Sequence, residues 1–91
     1  MKSLPLEVKA YKKTEVFSKE TTPKGLLSEH RTIQGVWGKI VVLEGTLIYT
    51  IDDNDGETIE LSPGKIGVVE PQVIHHVTPL DGVKFYVEFY R

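Results

Sequence analysis

Apolar residues along this chain recur at every second position, not at every third or fourth. The last segment is the clearest: Val83, Phe85, Val87 and Phe89 share one face, and Lys84, Tyr86, Glu88 and Tyr90 share the other. A period of two marks a half-buried strand, because successive side chains leave a strand on opposite sides. Lys39 to Glu44 is a short β-rich run ended by Gly45. Thr46 to Ile51 follows at once, which predicts two strands joined at a tight bend. Glu57 to Leu61 alternates again. After Ser62-Pro63-Gly64, the runs Ile66 to Val69 and Val73 to Val77 predict two more strands, separated from the last by Pro79 to Gly82. Upstream, Leu6 to Tyr11 alternates as an edge strand, Glu15 to Ser18 fits strand or loop, and Thr21 to Gly25 reads as loop. Leu26 to Thr32 predicts a strand with Ser28 and His30 on one face. No apolar stripe of helical period extends beyond about one turn. Some eight short strands at this spacing predict an all-β sandwich or barrel.

Length narrows the picture. At 91 residues, one domain spanning 1–91 is expected. A domain of this size buries roughly 60–65% of its unfolded surface, so its core is thin. The chain has no cysteine, which excludes a disulfide scaffold, a thiol nucleophile and any Cys-based metal site. Stability must then come from packing, a ligand, another kind of metal site or a partner subunit, and a homodimer formed through a sheet edge or face is the expected assembly.

Eleven basic against thirteen acidic residues leave a net charge of −2. Lys12-Lys13 and Lys24 are too few to track phosphates, so nucleic acid is not an expected partner. No apolar run approaches the roughly 18–20 residues of a membrane helix. Met1 to Pro5 holds no apolar signal-peptide core, so the expected compartment is the cytosol.

Asp52-Asp53-Asn54-Asp55-Gly56 imitates a calcium loop. With Gly56 at the sixth position of an EF-hand loop, the first position falls on Ile51 and the twelfth on Ser62, where acidic ligands are required. The stretch therefore reads as a hairpin turn, in which Asn, Asp and Gly tolerate left-handed backbone.

The histidines are the chemically informative residues. His75 shares a strand face with Val73 and Val77 and is expected to point inward, whereas His76 shares the opposite face with Ile74 and Thr78. His30 shares a face with Leu26 and Ser28. Glu44 shares one with Ile40 and Val42, where a carboxylate is costly unless paired, protonated or metal-bound. Val41 and Leu43 make the other face apolar too, so pattern alone leaves Glu44's direction open. Two imidazoles and a carboxylate converging from three strands would suit zinc, iron, copper or nickel. Isolated histidines carry no ligand spacing, and semi-buried histidines without a metal are the bland alternative.

Val42-Leu43-Glu44-Gly45-Thr46-Leu47, then Leu61-Ser62-Pro63-Gly64, Glu70-Pro71 and His75, resembles the cupin pattern, whose second motif places a histidine eleven residues after a glycine. Glu70 stands where that motif has proline, and Gln72 replaces its second glycine. More closely, Thr22-Pro23-Lys24-Gly25-Leu26-Leu27-Ser28-Glu29-His30, Gly35-Val36-Trp37-Gly38 and the closing Phe85 to Tyr90 resemble the small cupin-like domain of the tellurite-resistance TehB/YeaR family. Such domains occur alone or ahead of a methyltransferase domain, for which this chain has neither the length nor a Gly-rich nucleotide loop. The resemblance implies a cupin-like jelly-roll barrel of antiparallel strands. It also implies a divalent transition metal (zinc, iron or nickel) held by His30, Glu44 and His75, with His76 in reserve. The cupin glutamate position is occupied by Gly38, so Glu44 would supply the carboxylate from further along the strand.

Three functions compete. One is a metal-dependent pocket for an oxyanion or small organic molecule, with Trp37, Tyr49, Phe85 and Tyr86 as candidate lining residues. The second is a metal-free ligand-binding or regulatory module without catalysis. The third, resting on cupin analogy alone, is a sugar isomerase or dioxygenase. Without cysteine, the chain cannot trap or reduce tellurite through thiols of its own.

Overall fold

A computed structural model describes residues 1–53 and 56–91. Among these the chain is all-β, with one short 3-10 helix, Lys24–Leu26, and no α-helix. The strands are β1 (Ala10–Lys13), β2 (Phe17–Ser18), β3 (Trp37–Glu44), β4 (Leu47–Ile51), β5 (Glu57–Leu61), β6 (Gly67–Val69), β7 (His75–Pro79) and β8 (Lys84–Tyr90). They form two antiparallel sheets. One runs β1-β8-β3-β6 with β2 also paired to β8, and the other runs β5-β4-β7. The sheets share no strand pairing among the described residues, so the closed barrel expected from the resemblance is not formed.

The period-two pattern sets which faces meet. Ile40 and Val42 of β3, Val69 of β6 and Phe85 and Val87 of β8 pack against Leu47 and Tyr49 of β4, Leu61 of β5 and Val77 of β7 in one apolar cluster. Gly67 lets the sheets close. A Cβ there would lie 2.8 Å from Leu61 Cδ1 and 3.2 Å from Tyr49 Cδ2. The buried Tyr49 hydroxyl donates to the Val68 carbonyl at 2.9 Å, a polar tie from one sheet to the other.

Three upstream expectations change. The strand predicted at Leu6 to Tyr11 begins instead at Ala10. Glu15 to Ser18 supplies only the two-residue β2. The strand predicted from Leu26 to Thr32 is reduced to a single bridge at His30, preceded by the 3-10 helix. Pro23 and Gly25 interrupt that region, and a helical turn satisfies its amides locally: Leu26 and Leu27 N–H donate to the carbonyls of Pro23 and Lys24.

The acidic stretch is flanked by the paired strands β4 and β5, as a hairpin requires. Asp52 Oδ2 lies 2.8 Å from His76 Nδ1, and Asp53 Oδ2 accepts the Ile74 N–H at 2.9 Å. Asn54 and Asp55, the centre of the turn reading, lie outside the described residues.

Candidate functional site: a strapped apolar cavity with a histidine pair

Between β2 and β3 the chain crosses from one sheet to the other. It leaves the five-stranded sheet at Ser18, where Thr22 donates from its hydroxyl to the Ser18 carbonyl at 2.6 Å and fixes the turn. It reaches the three-stranded sheet at His30, whose N–H and carbonyl both bond to those of His75 at 2.8 Å. This strap, with Leu26 packed on the core, roofs a cavity of about 260 Å³. The floor is the inner face of β8, β3 and β6, represented by Phe85, Val87, Ile40 and Val69, and Val77 and His75 of β7 form a wall. No Asp, Glu, Lys or Arg lines it among the described residues.

The register explains His75. It pairs with Ile51 of β4, two residues along from the Tyr49–Val77 pair and so on the same face, and its side chain enters the interior and is only 4% exposed. Its ring meets the Tyr49 ring edge-on at 5.7 Å. His76, paired with Thr50, leaves on the opposite face to Asp52. Both orientations agree with the strand parity read from the sequence.

His30 Nδ1 lies 3.3 Å from His75 Nε2, with the two rings close to perpendicular at 87°. His75 Nδ1 lies 3.1 Å from the Val73 carbonyl. Burial pushes both imidazoles below their ordinary range; for His75 the Val73 carbonyl opposes the shift and His30 adds to it. The pair is therefore neutral at neutral pH. Burial likewise pushes the Tyr49 phenol far up, so it stays a hydroxyl donor.

Glu44 does not join the histidines. The β3–β8 register shifts between Val42 and Glu44, and this irregularity breaks the alternation that placed Glu44 with Ile40 and Val42. Leu43 and Glu44 are both exposed, Glu44 opposite Lys84, and Glu44 is not part of the cavity wall. Among the described residues no group of three or more His, Cys, Asp or Glu stands close enough to hold a metal ion. The expected divalent transition metal is thereby corrected: among the described residues the fold gathers two histidines and no third ligand. The relatives below, moreover, carry a different cofactor in their name.

Of the aromatic residues expected at the lining, Phe85 is on the floor and Tyr49 stands behind His75. Trp37 and Tyr86 share the outer face of their sheet with Lys39 and Glu88. Thr14, Phe17, Thr32 and Phe89 also line the cavity. The first three come from connecting segments or a two-residue strand, where no periodicity marks a facing. Phe89 was legible in the alternation of β8.

Two sheets, a strap and an apolar cavity carrying one imidazole pair define an all-β domain built around a small-molecule-sized space. The TehB-like domain model matches residues 12–87, and the chain belongs to that family. It is 35% and 34% identical to proteins from two Haemophilus influenzae strains, each named probable S-adenosyl-L-methionine-dependent methyltransferase TehB. Each match covers 92% of this chain but 31% of the relative, so the chain spans about a third of their length. The crystal structure of TehB from Haemophilus influenzae superposes with a TM-score of 0.84 at 32% identity, over 93% of this chain and 32% of that one. A protein from E. coli (strain K12) shares the fold at a TM-score of 0.89 and 21% identity, covering 100% of this chain and 97% of that one.

Proposed function

We propose that residues 1–91 form a single metal-free ligand-binding domain whose cavity takes a small, uncharged, largely apolar molecule. The observation that carries this reading is the cavity itself: about 260 Å³, walled by Phe, Ile, Leu and Val, with a neutral imidazole pair at one side. An apolar cavity of roughly 150 Å³ already takes benzene, so a substituted single ring fits the available space. An oxyanion suits it poorly, because no cationic side chain lines the wall among the described residues.

S-adenosyl-L-methionine does not fit these residues. It is a charged sulfonium with an amino-acid head and a ribose, and such groups call for carboxylates, none of which lines the cavity among the described residues. We assign no methyl-transfer step to this chain and place that chemistry in the two-thirds of the relatives that it does not span. The domain then serves as a ligand-binding companion to such chemistry, consistent with the family's link to tellurite resistance. A cytosolic location, a cupin-like jelly-roll lineage and a homodimer joined through a sheet edge such as β5 complete the proposal. No helix among the described residues is long and apolar enough to cross a membrane.

Titration of the 15N-labelled chain with p-cresol, phosphate, tellurite and S-adenosyl-L-methionine tests the reading. The expected result is saturable shifts at Val77, Phe85 and His75 with p-cresol only. Saturation by an anion or by S-adenosyl-L-methionine, with no response to p-cresol, overturns it.

A further inference from the structure

The histidine pair has a direction. A carbonyl oxygen only accepts, so His75 Nδ1, at 3.1 Å from the Val73 carbonyl, carries the proton. In the neutral ring Nε2 is then an acceptor, and the contact at 3.3 Å requires His30 Nδ1 to donate. The remaining nitrogen, His30 Nε2, holds a lone pair with no hydrogen-bond partner among the described residues. His30 stands in the shared wall of the cavity and a shallower groove lined by Tyr11, Lys12 and Arg31.

The threonine hydroxyls of the wall give their protons to backbone carbonyls, Thr14 to Glu15 at 2.8 Å and Thr32 to Val36 at 2.7 Å. Among the described residues no side chain on the wall is left with a proton to offer. Both segments that carry the pair also hold a non-glycine residue in the left-handed region, Glu29 (φ 38°) and Gln72 (φ 64°). Backbone of that kind persists where the surroundings over-determine it, and it concentrates at ligand sites.

We propose that His30 Nε2 is the hydrogen-bond acceptor of the cavity, oriented through His75 by the Val73 carbonyl, so that the site selects neutral apolar molecules bearing an O–H or N–H donor. This rests on the ligand-binding reading above and names its ligand class. The probes are p-cresol, its methyl ether and toluene, which share a ring and differ in the donor. One hydrogen bond predicts p-cresol binding roughly 3- to 10-fold tighter than the ether. In His30→Leu that preference disappears while toluene still binds, and in His30→Gln, whose amide oxygen can accept, part of it returns.

Long-range 1H–15N correlation on the unmodified chain tests the direction independently of whether the variants fold. Both histidines are expected as the Nδ1–H tautomer, and an Nε2–H tautomer at His75 overturns the proposal. Equal binding of all three probes overturns it while leaving the cavity reading intact. Failure of every neutral probe to bind overturns the cavity reading as well.

Discussion

Removing the Tyr49 hydroxyl leaves a buried carbonyl without a partner, and the cost can be worked from the neighbouring strand. Lys39 and Val68 face each other across β3 and β6, and the Val68 N–H turns away to Met1 Sδ at 3.0 Å. The pair is thus of the non-hydrogen-bonded kind, with the Val68 carbonyl also directed away from β3. Its one partner among the described hydrogen bonds is the Tyr49 hydroxyl at 2.9 Å, and the tyrosine is 1% exposed. Tyr49→Phe keeps the ring and its packing but orphans the carbonyl, which costs about 1–3 kcal/mol. A 91-residue chain has a total stability of roughly 5–14 kcal/mol, so the loss is a large fraction. The expected fall in Tm is about 4–8 °C per kcal/mol. Urea unfolding followed by circular dichroism gives the free energy, with an unchanged m-value showing that the folded state stays intact. Tyr90→Phe is the control: its hydroxyl donates to Glu88 on the outer face, and its loss is expected to stay within about 0.5 kcal/mol. If Tyr49→Phe costs no more than Tyr90→Phe, the hydroxyl is not a tie between the sheets.

Three further outcomes follow from residues around the turns and the cavity. Gly45→Ala is expected to cost more than about 2 kcal/mol, because φ is +76° and the new Cβ would lie 2.9 Å from Val83 Cα; chemical denaturation measures it. Gln72→Gly is expected to stabilise by about 0.5–1 kcal/mol, as release from left-handed strain outweighs glycine's added chain entropy, and a lower urea midpoint would contradict this. Acid should weaken the fold through the histidine pair. His30 and His75 titrate below the ordinary 6.5 when folded, so the unfolded chain binds more protons in that window. Stability is full above about pH 6.5 and falls as the pH drops below it toward the folded values, and the pH slope between 7 and 5.5 shrinks in His30→Gln.

What the sequence revealed and what it hid have the same cause. Strands β3 to β8 were legible because Val83, Phe85, Val87 and Phe89, like Ile40 and Val42, alternate on a surface packed from one side. His75 was legible for the same reason. Glu44's direction stayed open because both faces of its strand are apolar, and the register irregularity that decides it cannot be seen in parity: once β3 shifts against β8, counting by twos from Val42 no longer gives the facing. His30 was a candidate site residue from the sequence, and the structure brings it to His75 although the strand predicted around it is not formed. One backbone bridge orients it as well as a full strand would. Gln72 carried a signal of its own, since it occupies a glycine position of the cupin pattern and adopts the left-handed backbone that glycine favours. The order of protons along the histidine pair had no signature in the chain, because it depends on a carbonyl two residues away in sequence and on a ring brought from 45 residues upstream.

Among the described residues the strap grips the three-stranded sheet and its approach by three backbone hydrogen bonds, two between His30 and His75 and one from Gln72 N–H to the Thr32 carbonyl. Were the strap to lift, the cavity would be uncovered and the imidazoles parted in the same motion. Access and recognition would then be one equilibrium. A molecule that binds only the closed form favours closure by a factor of 1 + [L]/Kd, and the amide hydrogens of His30 and His75 exchange with solvent more slowly by that factor. Binding of the kind proposed above would thus be readable, without any label on the ligand, from the lifetime of two hydrogens on the protein's own backbone.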